Sequence, residues 1–324
     1  MIRSKRALKD RLARAVSMRV VVVMPARNES KLISKSIESI PKSVDWIIVI
    51  DDGSTDHTAS LAKDALADRG EVVSTIGLGV GGAIQTGSQL ALTRFGTDIA
   101  VVVMAGDGQM DAGDLPAVVE PIISRRSDHV KGNRWLHPEG PKGMPLIRKM
   151  GTWWLSRLTS LASGIRIRDS QCGYTATSGE MIEKWDWNAT WKGYGYPNWW
   201  LMEAGRRGFR VQEVAVKSVY ADEVSGIRVS RFFFSVSWML WKGIWRRGVD
   251  WYILGKNTHP ATKILANTLW FGGWLGLIVA LKMPALLILP PLATFIAALN
   301  YDDCYFQAPP FLLPPCLLRC LTFL

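Results

Sequence analysis

Four short runs of branched apolar residues recur early in the chain: RVVVVM from Arg19, DWIIVI from Asp45, EVVSTI from Glu71 and DIAVVVM from Asp98. A strand with one wet face alternates apolar and polar residues, so runs this continuous belong to strands buried on both faces. Between them, Ser30 to Ile40, Asp56 to Ala67 and Gly82 to Phe95 carry apolar residues at helical spacing. This order predicts βαβ units, and therefore an α/β domain over residues 19–222 built on a mainly parallel, doubly wound sheet. At 324 residues the chain has ample length for a buried core, which excludes disorder as its main state.

In sheets of this kind ligands bind beyond the carboxyl ends of the strands, so the strand-to-helix junctions are where chemistry is to be sought. The first strand ends in PARNES, the second in DDGSTDHT and the fourth in AGDGQMD. Asp51 and Asp52 are adjacent carboxylates at a strand tip; they repel one another and call for hydrogen-bond donors, such as a base N–H or ribose hydroxyls on a ligand. Helix capping by this segment is the plainer alternative. Asp107 and Gln109, separated by one glycine, can converge two oxygen ligands from one loop on a hard divalent ion, Mg²⁺ or Mn²⁺. Asp111 and Asp114 are expected to start the following helix, with Asp114 as its N-cap. GLGVGGAIQTG lacks both the P-loop lysine and a dinucleotide fingerprint, so it reads as close backbone packing at a helix start, with amides that can still face an anion.

A net charge of +11 accompanies 48% hydrophobic and only 21% charged residues, and both excesses have an address. Ile264 to Leu281 is an uncharged stretch of eighteen residues, at the lower limit for a bilayer span, and Ala285 to Leu299 adds fifteen more, broken by Pro290 and Pro291. We read a transmembrane helical hairpin over residues 261–300, with a buried hairpin of a soluble domain as the alternative. Residues 1–18 form a basic arm that is not a secretory signal, either a helix on anionic lipid or a solvated tail. Over residues 226–256, Trp238, Trp241 and Trp245 recur at helical spacing beside Lys242, Arg246 and Arg247, which suits interfacial amphipathic helices in the headgroup layer or packing on the preceding domain. Arg246, Arg247, Lys256 and Lys263 before the first span predict an integral membrane protein whose catalytic domain faces the cytoplasm. Cysteine usage agrees, since Cys172 is alone in the globular part and Cys304, Cys316 and Cys320 lie in the apolar, proline-rich tail, residues 301–324. Because the basic residues accompany tryptophan-rich and apolar segments, the expected partner is an anionic membrane surface and not nucleic acid.

Taken together, the junctions resemble family 2 glycosyltransferases of GT-A fold, and among them the dolichol-phosphate mannose synthase type of polyisoprenyl-phosphate glycosyltransferase. The resemblance runs from about Val20 to Val219: MPARNES matches the family's P-x-x-N-E, IIVIDDGSTDHT its acidic nucleotide-binding turn, AGDGQMD its D-x-D-x-Q metal loop, KGNR its G-x-R and RDSQCGYTA its D-x-x-S-G-F segment. It implies that Pro25, Ala26, Asn28, Glu29, Asp51 and Asp52, with Asp107, bind the nucleotide sugar, a GDP- or UDP-hexose. It implies that Asp107 and Gln109 hold the Mg²⁺ or Mn²⁺ on the donor diphosphate. Arg134 and Arg168 would meet the phosphate of a polyisoprenyl phosphate acceptor, their planar forks satisfying oxygens two at a time, and with Asp107 they make up the catalytic set. Two departures stand out: Ala105 replaces the first acid of the metal loop, and Cys172 replaces the serine of the last segment.

The implied reaction is one inverting displacement by the acceptor phosphate, which is ionised at neutral pH and needs no general base. Relatives that glycosylate hydroxyls place an acid before the helix after the acceptor segment. Here that stretch reads YGYPNWWLMEAG, with Asn198 at the place and Glu203 farther on. Transfer to a hydroxyl of a glycolipid or glycan is the alternative activity, and a degenerate transferase serving as a membrane scaffold is the alternative outside enzymes.

Overall fold

A computed structural model of the protein describes residues 18–189, 191–219 and 229–250, with four isolated positions between 268 and 276. The four apolar runs are strands: β1 (Arg19–Ala26), β2 (Trp46–Asp52), β3 (Gly70–Thr75) and β4 (Ile99–Val103). β1 pairs in parallel with β2 and β4, and β2 with β3. The helices between them are α1 (Ile33–Ser39), α2 (Thr58–Leu66) and α3 (Gly79–Phe95), where the spacing places them.

Burial on both faces explains the unbroken runs of β1, β2 and β4, whereas β3 lies at the sheet's edge, is only partly buried and is followed by an exposed Ile76, against the expectation for that run. Val20, Val22 and Met24 of β1 pack in one layer with α1, α2 and α4 (Leu115–Ile123), while Val21 and Val23 pack in the other with α3. α3 comes close because it carries glycine: a Cβ on Gly87 would lie 2.4 Å from Cγ1 of Val23. The glycine-rich segment is therefore packing, as its sequence suggests.

The sheet goes on beyond these four strands and is mixed, though mostly parallel. Its order is β3-β2-β1-β4-β6-β5-β7, with β5 (His129–Asn133), β6 (Thr175–Ser178) and β7 (Val211–Ala215). β6 runs antiparallel to both β4 and β5, and β5 is parallel to β7. The one reversal is β6, whose sequence, TATS, carries no apolar run to announce a strand. The reversal brings the entry to β6 to the same edge as the exits of β1, β2, β4 and β5, so the segment before β6 faces the donor-side junctions.

The remaining helices are α5 (Leu146–Ser163), α6 (Gly179–Glu183), α7 (Tyr196–Arg206) and α8 (Val229–Gly248). α8 packs its Val236, Met239, Leu240 and Ile244 against Leu155 and Ala162 of α5 and Met202 of α7. Arg247 completes the contact by donating from Nη1 to the Leu161 carbonyl at 2.9 Å, with its guanidinium over Gly164, the left-handed C-cap of α5. Packing thus accounts for the inner face of α8 and, in part, for Trp245, whereas Trp238 and Trp241 are exposed. Among the described residues no helix is long and apolar enough to cross a membrane. Residues 1–17 of the basic arm, the proposed hairpin at 261–300 as a continuous segment and the tail at 301–324 lie outside the described residues.

Candidate active site

The exits of β1 and β2 are laced into one wall. Asn28 adopts φ 57°, a left-handed conformation that asparagine tolerates, and its Oδ1 accepts the Thr55 N–H at 2.8 Å. Its own N–H donates to Ser54 Oγ at 2.9 Å, and the Glu29 N–H donates to Thr58 Oγ1 at 2.8 Å. Hydrogen bonds led by that from the Thr58 hydroxyl hold the Asp56 carboxyl down at about 2. Pro25 and Ala26 form the last step of β1, with Ala26 level with Asp51 of β2.

Asp51 and Asp52 are buried, and the chain itself supplies the donors that the sequence reading sought on a ligand. Asp52 accepts the N–H groups of Leu78 and Gly79, both at 2.7 Å, and the Thr75 hydroxyl at 3.0 Å. It therefore caps α3 from a distance, with a carboxylate at the positive end of the helix. The Gly81 N–H is taken by the Lys192 carbonyl, so these amides of α3 are engaged by groups of the protein itself and do not face a ligand anion. Asp51 holds the turn through Oδ1, which accepts from the Ser54 N–H and hydroxyl; among the described residues its second oxygen takes no hydrogen bond.

The loop after β4 runs beside the end of β1, with the Met104 N–H on the Val23 carbonyl and the Gly106 N–H on that of Pro25. Gly106 is tightly placed, since a Cβ would meet Ile33 Cδ1 at 2.8 Å, and Gly108 turns the chain at φ 69°. This sets Asp107 next to the Pro25–Ala26 wall, its Oδ1 accepting the Gln109 N–H at 3.0 Å. The described residues hold no group of three or more His, Cys, Asp or Glu able to bind a metal, and Ala105 brings no oxygen. Asp107 and Gln109 offer two hard oxygen donors on one loop, which fits a Mg²⁺- or Mn²⁺-type ion that completes its shell with phosphate and water. Asp114 stands at the N-cap position of α4, as expected, but its side chain takes the Lys217 N–H at 2.6 Å and makes no capping bond; Asp111 caps the short turn before it, accepting the Gly113 N–H at 2.8 Å.

Facing this loop is the segment Ile167–Tyr174, which enters β6. Arg134, at the end of β5, donates from Nε and Nη2 to the two oxygens of the fully buried Asp169, each at 2.8 Å. Burial alone would raise the Asp169 carboxyl, but Arg134 overrides it by charge and hydrogen bonding and holds it low. Arg168 is exposed, its backbone N–H anchored to Glu213 of β7 at 2.9 Å. Lys131, wholly buried, donates from Nζ to the Cys172 carbonyl, and its pKa is pulled down chiefly by burial. Burial pushes the Cys172 thiol up, so this position supplies neither a hydroxyl nor a thiolate. The donor-side residues and the two arginines thus occupy one edge of the sheet.

Sequence reasoning passed over Tyr196. It is buried beneath the segment, its hydroxyl donates to the Gly173 carbonyl at 3.4 Å, and burial, then Cys172 and Asp107, push its pKa up. It therefore supports the segment Ile167–Tyr174 from below, within electrostatic reach of Asp107, which nothing in YGYP announces. Asn198 is wholly buried, accepting from Gln171 Nε2 at 3.0 Å and donating to Thr159 Oγ1 at 2.8 Å. Glu203 is buried among Arg206, Arg207 and Arg246, at 3.4, 3.6 and 3.2 Å. It is neither solvated nor near the segment, but an ion-pair hub joining α7 to α8.

The model of the family Glycosyl transferase family 2 matches residues 21–179. The chain is 31% identical to an uncharacterized protein of Methanocaldococcus jannaschii, over 63% of this chain and 82% of that one. It is also 31% identical to a UDP-N-acetylglucosamine–dolichyl-phosphate N-acetylglucosaminyltransferase of Methanococcus voltae, over 63% of this chain and 86% of that one. Among solved structures it resembles glucosyl-3-phosphoglycerate synthase of Mycobacterium tuberculosis bound to Mn²⁺ and uridine-diphosphate-glucose, with TM-score 0.56 and 21% identity over 73% of this chain and 82% of that one. That likeness concerns the fold, a GT-A-like α/β domain. With strands, junction motifs and relatives in agreement, the chain belongs to glycosyltransferase family 2.

Proposed function

We propose that this glycosyltransferase moves a hexose from a GDP- or UDP-sugar to a polyisoprenyl phosphate, with inversion, at the cytoplasmic face of a membrane held by the hairpin at 261–300. The observation that carries the reading is the fate of the two side chains that would serve a hydroxyl acceptor. Asn198, an amide and so no base, is locked between Gln171 and Thr159, and Glu203 is turned into a cluster of three arginines at the junction of α7 and α8, so neither is presented to a sugar hydroxyl. A phosphate acceptor needs no such base. The name of the Methanococcus voltae relative, a dolichyl-phosphate transferase, supports the same acceptor class.

Pro25, Ala26, Asn28, Glu29, Asp51 and Asp52 form the wall against which the nucleoside lies, with Asp51 Oδ2 as its acceptor. Asp107 and Gln109 hold a Mg²⁺ or Mn²⁺ ion, which when bound neutralises charge on the departing nucleoside diphosphate. Arg168 and Arg134, the latter from a position fixed by Asp169, take the acceptor phosphate. One phosphate oxygen then forms the bond to the anomeric carbon as the bond from that carbon to the diphosphate breaks.

Membranes containing the protein, polyisoprenyl phosphate and radiolabelled nucleotide sugars test this. A lipid-extractable product that mild acid releases is expected. No such product from any common nucleotide sugar overturns the reading, and an acid-stable glycolipid transfers it to the hydroxyl acceptor.

A further inference from the structure

β5 carries a residue that its place in the fold disfavours. Lys131 stands at the middle of the strand, level with Thr175 of β6 and Glu213 of β7, and its side chain is wholly buried. A buried ammonium is costly unless it is paired and hydrogen-bonded, so a lysine inside a sheet calls for groups that use its charge.

Those groups belong to the acceptor segment and its support. Lys131 Nζ donates to the Cys172 carbonyl, and Asp169 and Glu213 lie within its electrostatic reach. Both oxygens of the buried Asp169 are held by the Arg134 fork, while Glu213 Oε1 accepts the N–H groups of Arg168 and Asp169 at 2.9 and 3.0 Å. The other titratable neighbours carry no charge at neutral pH, since burial keeps the Cys172 thiol protonated and His129, two residues back on the same strand, unprotonated. α5 and α7 hold the segment with Ser156, Ser160 and Asn198, which are uncharged.

Around the segment stand two acids, Asp169 and Glu213, and three cations, Arg134, Lys131 and the exposed Arg168. The balance is one positive charge with Lys131 and none without it. A phosphate monoester arrives with a charge near −2, and in a partly buried site that difference is weakly screened. We propose that Lys131 is a positioning residue of the acceptor site: its buried ammonium offsets the two acids and pins the Cys172 carbonyl, so that Arg134 and Arg168 present a net positive charge to the phosphate. The inference rests on the reading above that the acceptor offers a phosphate.

Kinetics of the full chain in detergent with polyisoprenyl phosphate test this. Lys131→Met keeps the apolar stem and should raise the acceptor KM about tenfold, with the donor KM and kcat within about twofold. Adding Glu213→Gln, which keeps an oxygen for the two N–H groups, restores the charge count and should bring the acceptor KM back to within about threefold of the parent. A double variant no better than Lys131→Met overturns the proposal, because lost packing is not repaired by removing an acid. Where Lys131→Met fails to fold, Glu213→Gln alone decides: the acceptor KM should fall about threefold, and an unchanged or higher KM overturns the proposal.

The pH profile is a second readout. Burial pulls the Lys131 pKa below the ordinary 10.5, so the charge is lost as pH rises. The acceptor kcat/KM of the parent should fall on the alkaline side before pH 10.5, and that fall should be absent in Lys131→Met and retained in Cys172→Ala. A fall that persists in Lys131→Met, or that Cys172→Ala removes, counts against the proposal.

A third arm needs no transfer. With GDP and UDP present to fill the donor side, inorganic phosphate should raise the thermal midpoint of the parent and of the double variant, but not that of Lys131→Met. No shift in the parent, or equal shifts in all three, overturns the proposal. If the parent transfers to no isoprenyl phosphate, it is the acceptor assignment that fails, and this arm still decides the part played by Lys131.

Discussion

In the proposed reaction, donor, cation and acceptor segment converge on Asp107. It stands beside Pro25 and Ala26, shares its loop with Gln109 and contributes to the environment of Tyr196. With Ala105 where a first acid is expected, the next carboxylate along the loop is Asp111, which is engaged in capping the turn that follows. Asp107→Ala should therefore lower turnover by about three orders of magnitude, equivalent to losing about 4 kcal/mol of transition-state stabilisation. The thermal midpoint should hardly move, since the side chain is only partly buried. Full turnover in that variant would remove the cation assignment. The neighbouring carboxylates show where reading residues alone runs out. Asp51 and Asp52 are legible as a pair that needs donors, but whether those come from a ligand or from the start of α3, twenty-six residues on, depends on tertiary closure. The same holds for Arg134, whose fork is visible in KGNR while its partner Asp169 is thirty-five residues away.

At the level of elements, the first half of the sheet was readable because β1, β2 and β4 are buried on both faces and declare it in their side chains, while β3, at the sheet's edge and only partly buried, still carries a branched apolar run. β5, β6 and β7 read poorly because they are short, and because β5 buries His129, Lys131 and Asn133, which propensity assigns to loops. α8 was legible as an aromatic basic helix, but not the ion pairs that fasten it. Glu203→Gln separates the two roles open to that residue. As the hub between α7 and α8, its loss should cost about 3 kcal/mol by denaturant unfolding, because arginines that pack around a buried carboxylate lose their counter-charge. Turnover by the folded fraction should stay within about threefold, whereas loss of a general base would cost about a hundredfold or more. A hundredfold loss at unchanged stability would reinstate Glu203 as a base.

For the molecule as a whole, acid sensitivity has an identifiable source in the sheet. His129 is wholly enclosed, its Nδ1 2.9 Å from Thr177 Oγ1, and burial, with some help from Lys131, pulls its pKa down to about 3. Between that value and the ordinary 6.5, the unfolded chain binds a proton there and the folded chain does not. Stability contributed by this group is therefore present above pH 6.5 and declines as pH falls toward 3, by about 1.4 kcal/mol per pH unit. His129→Gln should flatten the stability profile by that slope between about pH 6 and 4, measured by urea unfolding. Parallel profiles for the two proteins would exclude His129 as the source. The strand order also bears on how the chain is made. Strands β1 to β4, all from residues 19–103, are contiguous neighbours in the sheet, while β5, β6 and β7 must wait for residues up to 215 and for an antiparallel strand to be wedged between β4 and β5. During synthesis the donor half can close as soon as it leaves the ribosome, and it then stands as a finished template on whose β4 edge the acceptor half is laid down.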